Sequence, residues 1–263
     1  MTRNRFTPYG LLLLSVLALS GCQTTYLKLP VGVTPVQATW LYGTYIIPAA
    51  YTNGNKPVTF QQNVGEIPWV KLATSNIKPG SKVPVILYLH GCKGISHQAE
   101  LFSKQLVSQG YAFFIPDSFK RPWRSQCGAQ GNLNARVRLR TEEVEYALEQ
   151  IKKLPWVDQN RLILMGFSEG GNTVDNWSKP GFSAHIIVGS ACTLVGGKPA
   201  APAGTPVLAI VGSNDEYRPG KSCRIDESDG ISKSVVIQGA GHSVAQYPQA
   251  QKAIRSFLLG CCL

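Results

Sequence analysis

Acidic residues are scarce in this chain of 263 residues. It has 15 aspartates and glutamates against 26 lysines and arginines, which makes the formal net charge +11 at pH 7. A basic chain suggests nucleic acid as a partner, but the sequence contains no basic run and no nucleic-acid-binding motif. The imbalance therefore favours an anionic surface or anionic substrates, and no nucleic acid is predicted.

Metal-binding patterns are also missing. The four histidines, His90, His97, His185 and His242, are scattered along the chain, and no Cys-x-x-Cys occurs. Zinc sites place such ligands at short, regular spacings. No metal centre is predicted, and no internal repeat or low-complexity segment is visible.

The apolar run at the amino terminus is too short to cross a membrane. It extends from Leu11 to Leu19, follows Arg3 and Arg5, and leads into small residues, whereas a spanning helix needs about 20 apolar residues. A basic start, a short apolar core and small residues are typical of an export signal.

The tetrapeptide at 19–22, Leu-Ser-Gly-Cys, resembles the lipobox of bacterial lipoproteins. The resemblance implies removal of residues 1–21, a lipid on Cys22, and an outer-membrane anchor facing the periplasm, because Gln23 rather than aspartate follows. The alternative is an ordinary secreted protein whose signal ends near a cysteine. Removing the signal takes away two arginines and no acid, which lowers the net charge to +9.

The remaining chain is predicted to be a tether at 22–40 and a single domain at 41–263. After residue 80, apolar runs of strand length alternate with amphipathic helices, which predicts an α/β fold with a mostly parallel sheet and helices on both faces. Predicted strands in this part are Val83–Leu89, Tyr111–Pro116, Leu162–Met165, Ala184–Gly189, Val207–Val211 and Ser234–Ile237. Predicted antiparallel edge strands are Thr44–Ile47, Val58–Gln62 and Val70–Leu72.

The pattern G-x-S-x-G stands at the end of one buried strand, at 166–170. This pattern is typical of a nucleophile elbow, in which a serine sits on a sharp turn from strand to helix. Glycines two positions before and after keep side chains out of the crowded turn. Ser168 is therefore the predicted nucleophile, and a plain surface turn is the alternative.

A nucleophilic serine needs an imidazole to take its proton and a carboxylate to orient that imidazole. Asp215 comes just past the predicted strand at 207–211, and His242 lies in a glycine-flanked loop after the next strand. Serine, acid and histidine in this order match α/β-hydrolases. The predicted triad is Ser168, His242 and Asp215.

Other residues compete for these roles. Glu216, Asp226 and Glu227 are the rival carboxylates, and each could instead be a solvated loop residue. His185 is rejected as the base because it starts a strand and so lies at the edge of the sheet opposite the site. His90 is predicted to orient a turn rather than to act as a base.

Leu-His-Gly-Cys at 89–92 follows a central strand and resembles the α/β-hydrolase loop that supplies an oxyanion amide. That resemblance implies the backbone N–H groups of Cys92 and Glu169 as the oxyanion donors.

Export and an even number of remaining cysteines suggest disulfides. Loops after neighbouring strands meet at the carboxyl edge of the sheet, which predicts the bonds Cys92–Cys127 and Cys192–Cys223. Four buried thiols are the alternative, and no pairing is predicted for Cys261 and Cys262.

From about Val83 to Leu259 the chain resembles the dienelactone hydrolase group of α/β-hydrolases. The resemblance rests on the loop at 89–92, Pro-Asp-Ser-Phe at 116–119, Pro-Trp-Val-Asp at 155–158, the elbow, Gly-x-x-Asp-x-x-x-Pro at 212–219 and Gly-His at 241–242. Dienelactone hydrolases proper carry cysteine as the nucleophile, and this elbow carries serine.

The resemblance implies a serine esterase that acts on a small ester through an acyl-enzyme and needs no metal or organic cofactor. Two other classes stay open: a non-catalytic envelope-binding lipoprotein, and an acyltransferase or peptidase on the same fold. Four loop cations are expected near the mouth, where they either favour an acidic acyl group or are simply solvated. These cations are Lys93, Arg121, Arg124 and Arg218. The oligomeric state is not indicated.

Overall fold

The computed structural model describes residues 29–61, 69–122, 124, 132–217 and 220–262. Three residues with predicted roles, Cys22, Cys127 and Arg218, lie outside these ranges. In the described part, no helix combines the length and the apolar composition that a bilayer crossing requires.

The described residues include eight strands, which form one sheet in the order β2-β1-β4-β3-β5-β6-β7-β8. Strands β3 to β8 run parallel, and β1 and β2 add an antiparallel edge beside β4. The strands are β1 Thr44–Ile47, β2 Val58–Gln61, β3 Val83–Leu89, β4 Ala112–Ile115, β5 Val157–Phe167, β6 Ala184–Val188, β7 Val207–Gly212 and β8 Lys233–Ile237.

Helices cover both faces of the sheet. They are α1 Pro35–Leu41, α2 Trp69–Asn76, α3 His97–Ser108, α4 Leu133–Lys152, α5 Glu169–Asn176 and α6 Pro248–Cys261. One core holds apolar residues of α1, α2, α4 and α5, such as Trp40 and Val144, and the other holds residues of α3 and α6, such as Phe102 and Ile254. Strands β3 and β7 are buried at every residue, because both of their faces are covered. The predicted α/β fold is confirmed.

The predicted tether at 22–40 ends earlier than expected, since α1 begins at Pro35. Thr34 and Gln37 form a capping box, with each side chain bonded to the backbone N–H of the other. Trp40 packs its ring edge-on against Tyr45, with the ring centroids 4.9 Å apart. Residues 35–40 therefore belong to the folded domain.

The predicted strand at Val70–Leu72 is wrong, because these residues belong to α2. Three apolar residues are too few to distinguish a strand from a helical turn. In the structure Ala73 is buried in the core, and the Thr74 hydroxyl donates to the Val70 carbonyl four residues earlier, at 2.8 Å.

His185 is buried near the start of β6, beside Val207 of β7 and Leu164 of β5. Neither ring nitrogen has a hydrogen-bond partner among the described residues. Burial lowers the pKa of His185 to about 4. In the unfolded chain the group titrates near 6.5, so between these two values the unfolded state binds a proton that the native state does not.

The native state therefore loses stability as pH falls through this window. Replacing His185 with leucine removes the titration, so the free energy of unfolding of the wild type should fall by about 3 kcal/mol more than that of His185→Leu between pH 7 and pH 4. Urea unfolding at a series of pH values measures the difference. Parallel profiles for the two proteins would contradict the prediction.

Candidate active site

Ser168 stands between β5 and α5 with a backbone of φ 56° and ψ −113°. This is a conformation that residues with a Cβ rarely adopt. Two glycines make it possible: a Cβ on Gly166 would lie 2.3 Å from the Gly170 carbonyl oxygen, and a Cβ on Gly170 would lie 2.0 Å from the Leu89 carbonyl oxygen. The geometry is that of a nucleophile elbow.

Hydrogen bonds hold the elbow in place. The Ser168 N–H donates to the Val188 carbonyl at 2.8 Å, which ties the turn to the end of β6. The Ser168 carbonyl accepts from both the backbone N–H of Asn172, at 2.9 Å, and its side-chain amide, at 3.0 Å. Helix α5 therefore begins directly behind the serine.

His242 and Asp215 meet at the same edge of the sheet. The imidazole Nδ1 lies 2.7 Å from Oδ2 of Asp215, which is fully buried. The other carboxylate oxygen accepts the backbone N–H of Tyr217 at 2.9 Å. Because Nδ1–H donates to the carboxylate, Nε2 is left as a proton acceptor. This is the tautomer that a general base requires.

The rival carboxylates make other bonds. Glu216 Oε2 accepts the backbone N–H of His242 at 3.2 Å, so it holds the loop and not the ring. Asp226 accepts the N–H of Ser228, and Glu227 accepts the N–H of Ser234. Among these four described carboxylates, only Asp215 bonds the imidazole.

A side chain on α3 also holds the loop that carries His242. The side-chain oxygen of Gln98, on α3, accepts the N–H groups of Val244 and Ala245 at 3.2 and 3.1 Å. On its other side the imidazole faces Gly189, where a Cβ would lie 2.9 Å from Cε1 of His242. A side chain at position 189 would push the imidazole away.

Ser168 and His242 line a cavity of about 1000 Å³. Its walls come from the loop after β3, the start of α4, the elbow, and the loops after β6, β7 and β8. Lining residues used below are Cys92, Lys93, Arg136, Glu169, Glu216 and Tyr217. The structure thus brings together the predicted nucleophile, base and oxyanion donors around one space.

His90 orients the turn that carries Cys92. A backbone N–H can only donate, so the 3.1 Å bond from the Ser118 N–H makes Nε2 of His90 the acceptor. The proton is then on Nδ1, which donates to the Gly91 carbonyl at 2.7 Å. In a trans peptide the C=O and N–H point opposite ways, so fixing the Gly91 carbonyl also fixes the direction of the Cys92 N–H. Burial, followed by the charge of Arg140, lowers the pKa of His90 well below its usual value.

The side chain of Glu169 is buried among arginines, which the sequence did not predict. Arg124 bonds one carboxylate oxygen, and the Nε of Arg136 bonds the other at 2.8 Å. Arg140 lies 3.7 Å from Glu169 and also pairs with Glu143 at 3.0 Å. We call these five residues, together with Arg121, the arginine cluster.

A signal for the arginine cluster exists in α4. Arg140 and Glu143 share the helical stripe of Val137, Val144 and Ala147, at spacings of three and four residues. Charged residues on an apolar stripe indicate a buried ion pair. In the structure both side chains are buried, and desolvation raises the pKa of Glu143.

Three of the four loop cations expected near the mouth are described. Lys93 is exposed and lines the cavity. Arg121 pairs with Glu142 at 2.9 Å and with Glu143 at 3.0 Å, so it faces the other residues of the arginine cluster and not the mouth. Arg124 is likewise directed to Glu169.

Disulfide bonds lie beside the cavity. Cys192 and Cys223, which follow β6 and β7, are bonded with their Cα atoms 5.1 Å apart. Cys92 is also disulfide-bonded, and its predicted partner Cys127 lies outside the described residues. A further bond, for which no pairing was predicted, joins the adjacent Cys261 and Cys262.

The Cys192–Cys223 bond is close to the cavity wall. The Ser190 hydroxyl, which lies in that wall, accepts the N–H of Cys192 at 3.4 Å and donates to Asp175. Burial raises the pKa of Asp175 to about 6. This buried chain of contacts links the disulfide to α5.

Solved structures similar to this chain have low sequence identity to it and include esterases and peptidases. Esterase PE8 is 19% identical over 69% of this chain and 94% of its own, with a TM-score of 0.48. Est1E from Butyrivibrio proteoclasticus is 16% identical over 69% and 89%, with a TM-score of 0.49. The esterase of Pyrobaculum calidifontis is 15% identical over 70% and 79%, with a TM-score of 0.48.

No curated protein matches the chain. The model of the dienelactone hydrolase family matches residues 72–256. This match covers more than half of the chain and includes the elbow, Asp215 and His242. The chain therefore belongs to the dienelactone hydrolase family of α/β-hydrolases and is a carboxylic-ester hydrolase.

Proposed function

We propose that the protein hydrolyses carboxylic esters through a triad of Ser168, His242 and Asp215. The observation that carries the proposal is the 2.7 Å bond between His242 and the buried Asp215, in the wall of the cavity that also holds the strained Ser168. Serine in place of the family's cysteine favours a general serine esterase over a dienelactone hydrolase.

The mechanism is acyl transfer to water. His242 Nε2 takes the hydroxyl proton as Ser168 attacks the ester carbonyl, and Asp215 stabilises the imidazolium that forms. The N–H groups of Cys92 and Glu169 hold the tetrahedral oxyanion, each contributing on the order of 10²–10³ in rate. His242 then protonates the leaving alcohol, and in the second half it activates the water that releases the acid.

Neighbouring side chains fix the orientation of both oxyanion donors. His90 fixes the peptide that carries the Cys92 N–H. The arginine cluster fixes Glu169 at the first position of α5. Donors held in advance need no reorganisation as charge develops on the carbonyl oxygen. No step requires a metal or an organic cofactor.

Labelling with a fluorophosphonate followed by peptide mapping tests the nucleophile. The label should be found on Ser168, and Ser168→Ala should lower kcat/KM for a p-nitrophenyl ester by a factor on the order of 10³ or more. A label on another residue, or turnover by Ser168→Ala close to that of the wild type, would contradict the assignment.

Asp215→Asn tests which carboxylate serves His242. It should lower kcat at neutral pH by a factor on the order of 10⁴, because an amide favours the wrong tautomer of the imidazole. The matched control is Asp226→Asn, a rival carboxylate on a surface loop whose bond to Ser228 an asparagine can keep. If both variants retain the kcat of the wild type, Asp215 is not the acid.

We also propose that the enzyme is a lipoprotein anchored through Cys22 to the outer membrane and facing the periplasm. The lipobox-like tetrapeptide at 19–22 supports this location. Disulfide bonds at Cys92 and at Cys192–Cys223 fit export, since such bonds persist in oxidising compartments.

Cys22→Ser tests the anchor, because serine cannot accept the thioether-linked lipid. The variant should lose labelling by a radioactive fatty acid and should either move to the soluble fraction or keep its signal. Fractionation and gel mobility measure these changes. Lipid labelling and membrane fractionation identical to the wild type would overturn the proposal.

A further inference from the structure

Tyr217 exposes a large aromatic side chain at the mouth of the cavity. It is 62% exposed, and it belongs with Val31, Ile95 and Leu259 to the exposed large hydrophobic residues of the described chain. Tyr217 lines the cavity, and Ile95 stands between two lining residues, Gly94 and Ser96. A large exposed apolar side chain at the mouth of a concave site indicates contact with a ligand.

The ring of Tyr217 is held beside the proposed base. Its centroid lies 4.8 Å from that of His242, with the planes inclined at 69°. The Tyr217 N–H donates to Asp215, which fixes the backbone of the residue. Phe167 packs on the same imidazole with a centroid distance of 4.9 Å. His242 thus packs against two aromatic side chains that both line the cavity.

The leaving alcohol must come close to this ring. To be protonated, its oxygen must be within hydrogen-bond reach of Nε2 of His242. A group bonded to that oxygen therefore lies within a few bond lengths of the Tyr217 side chain. The acyl carbon is bonded to Ser168 in the acyl-enzyme, and the alcohol oxygen is the substrate atom that receives the proton of His242.

Charge on the side of the cavity formed by the loops after β7 and β8 also distinguishes between alcohols. Among the described lining residues that follow β7 and β8, Glu216 is the charged one, and the others are Tyr217, His242, Ser243 and Gln246. A carboxylate next to the alcohol position disfavours an anionic leaving group, because like charges repel. An aromatic surface beside it favours a planar apolar group.

We infer that Tyr217 is a specificity-determining residue that binds the alcohol part of the ester, and that the preferred alcohols are neutral and aromatic. The inference rests on the proposed esterase function and names the substrate class of the same site. It requires no further group, since hydrolysis breaks the bond between acyl carbon and alcohol oxygen and His242 returns the proton to that oxygen.

The test compares acetate esters of methanol, benzyl alcohol and 4-carboxybenzyl alcohol, which share one acyl group. The wild type should prefer the benzyl ester by kcat/KM, with the 4-carboxybenzyl ester slower. Tyr217→Ala should lower the ratio of benzyl to methyl kcat/KM about tenfold, the size of one lost aromatic contact. Tyr217→Phe should keep the ratio, because it keeps the ring.

Leu259→Ala is the matched control, since it removes an exposed hydrophobic side chain from α6, which lines a different surface cavity. It should leave the ratio unchanged. An unchanged ratio of benzyl to methyl kcat/KM in Tyr217→Ala would overturn the inference. If both values fell equally, the ring would serve only to position His242.

Failure of the proposed function gives a different result. In that case the wild type would hydrolyse none of the three esters, and Ser168 would take up no fluorophosphonate. A labelled, active wild type that hydrolyses the benzyl and 4-carboxybenzyl esters no faster than the methyl ester would leave the esterase function standing and overturn the role of Tyr217.

Discussion

The left-handed backbone at Ser168 is the constraint on which the site depends. Such a conformation costs about 1–3 kcal/mol for a residue with a Cβ, so the surroundings must hold it. Gly166 and Gly170 permit the close contacts of the turn, and the bond from the Ser168 N–H to Val188 ties it to the sheet. The serine side chain is thereby raised above the carboxyl edge of the sheet, where the loops of β3, β7 and β8 reach it.

Buried charged side chains next to the elbow help to hold the same site in place. Arginines of the cluster surround the carboxylate of Glu169, whose backbone is proposed to hold the oxyanion. Arg140 also lies 3.5 Å from His90. Buried ion pairs contribute little net stability compared with apolar packing, but removing one partner leaves a buried charge unpaired. The cluster therefore fixes positions more than it stabilises the fold, and it joins both proposed oxyanion donors to α4.

Much of this arrangement was predictable, because it follows from patterns that are local in the chain. The elbow, the alternation of strands and helices, and the order of Ser168, Asp215 and His242 locate the loops of the site from the sequence alone. The stripe of α4 carries a signal for the burial of Arg140 and Glu143, but their partners were not predictable, because Glu169 and the loop after β4 are distant from α4 in the chain. The start of α1 was missed although its capping box is visible at Thr34 and Gln37, and three apolar residues at 70–72 could not distinguish helix from strand.

The bond network from Gln98 to the loop of His242 joins residues 146 and 147 positions apart. Contacts between residues so distant in the chain form slowly, because each of them closes a long loop. No contiguous half of the polypeptide contains the proposed nucleophile, base and both oxyanion donors. Recovery of catalysis during refolding would therefore report the assembly of the whole site, and a partly folded chain would be inert toward esters.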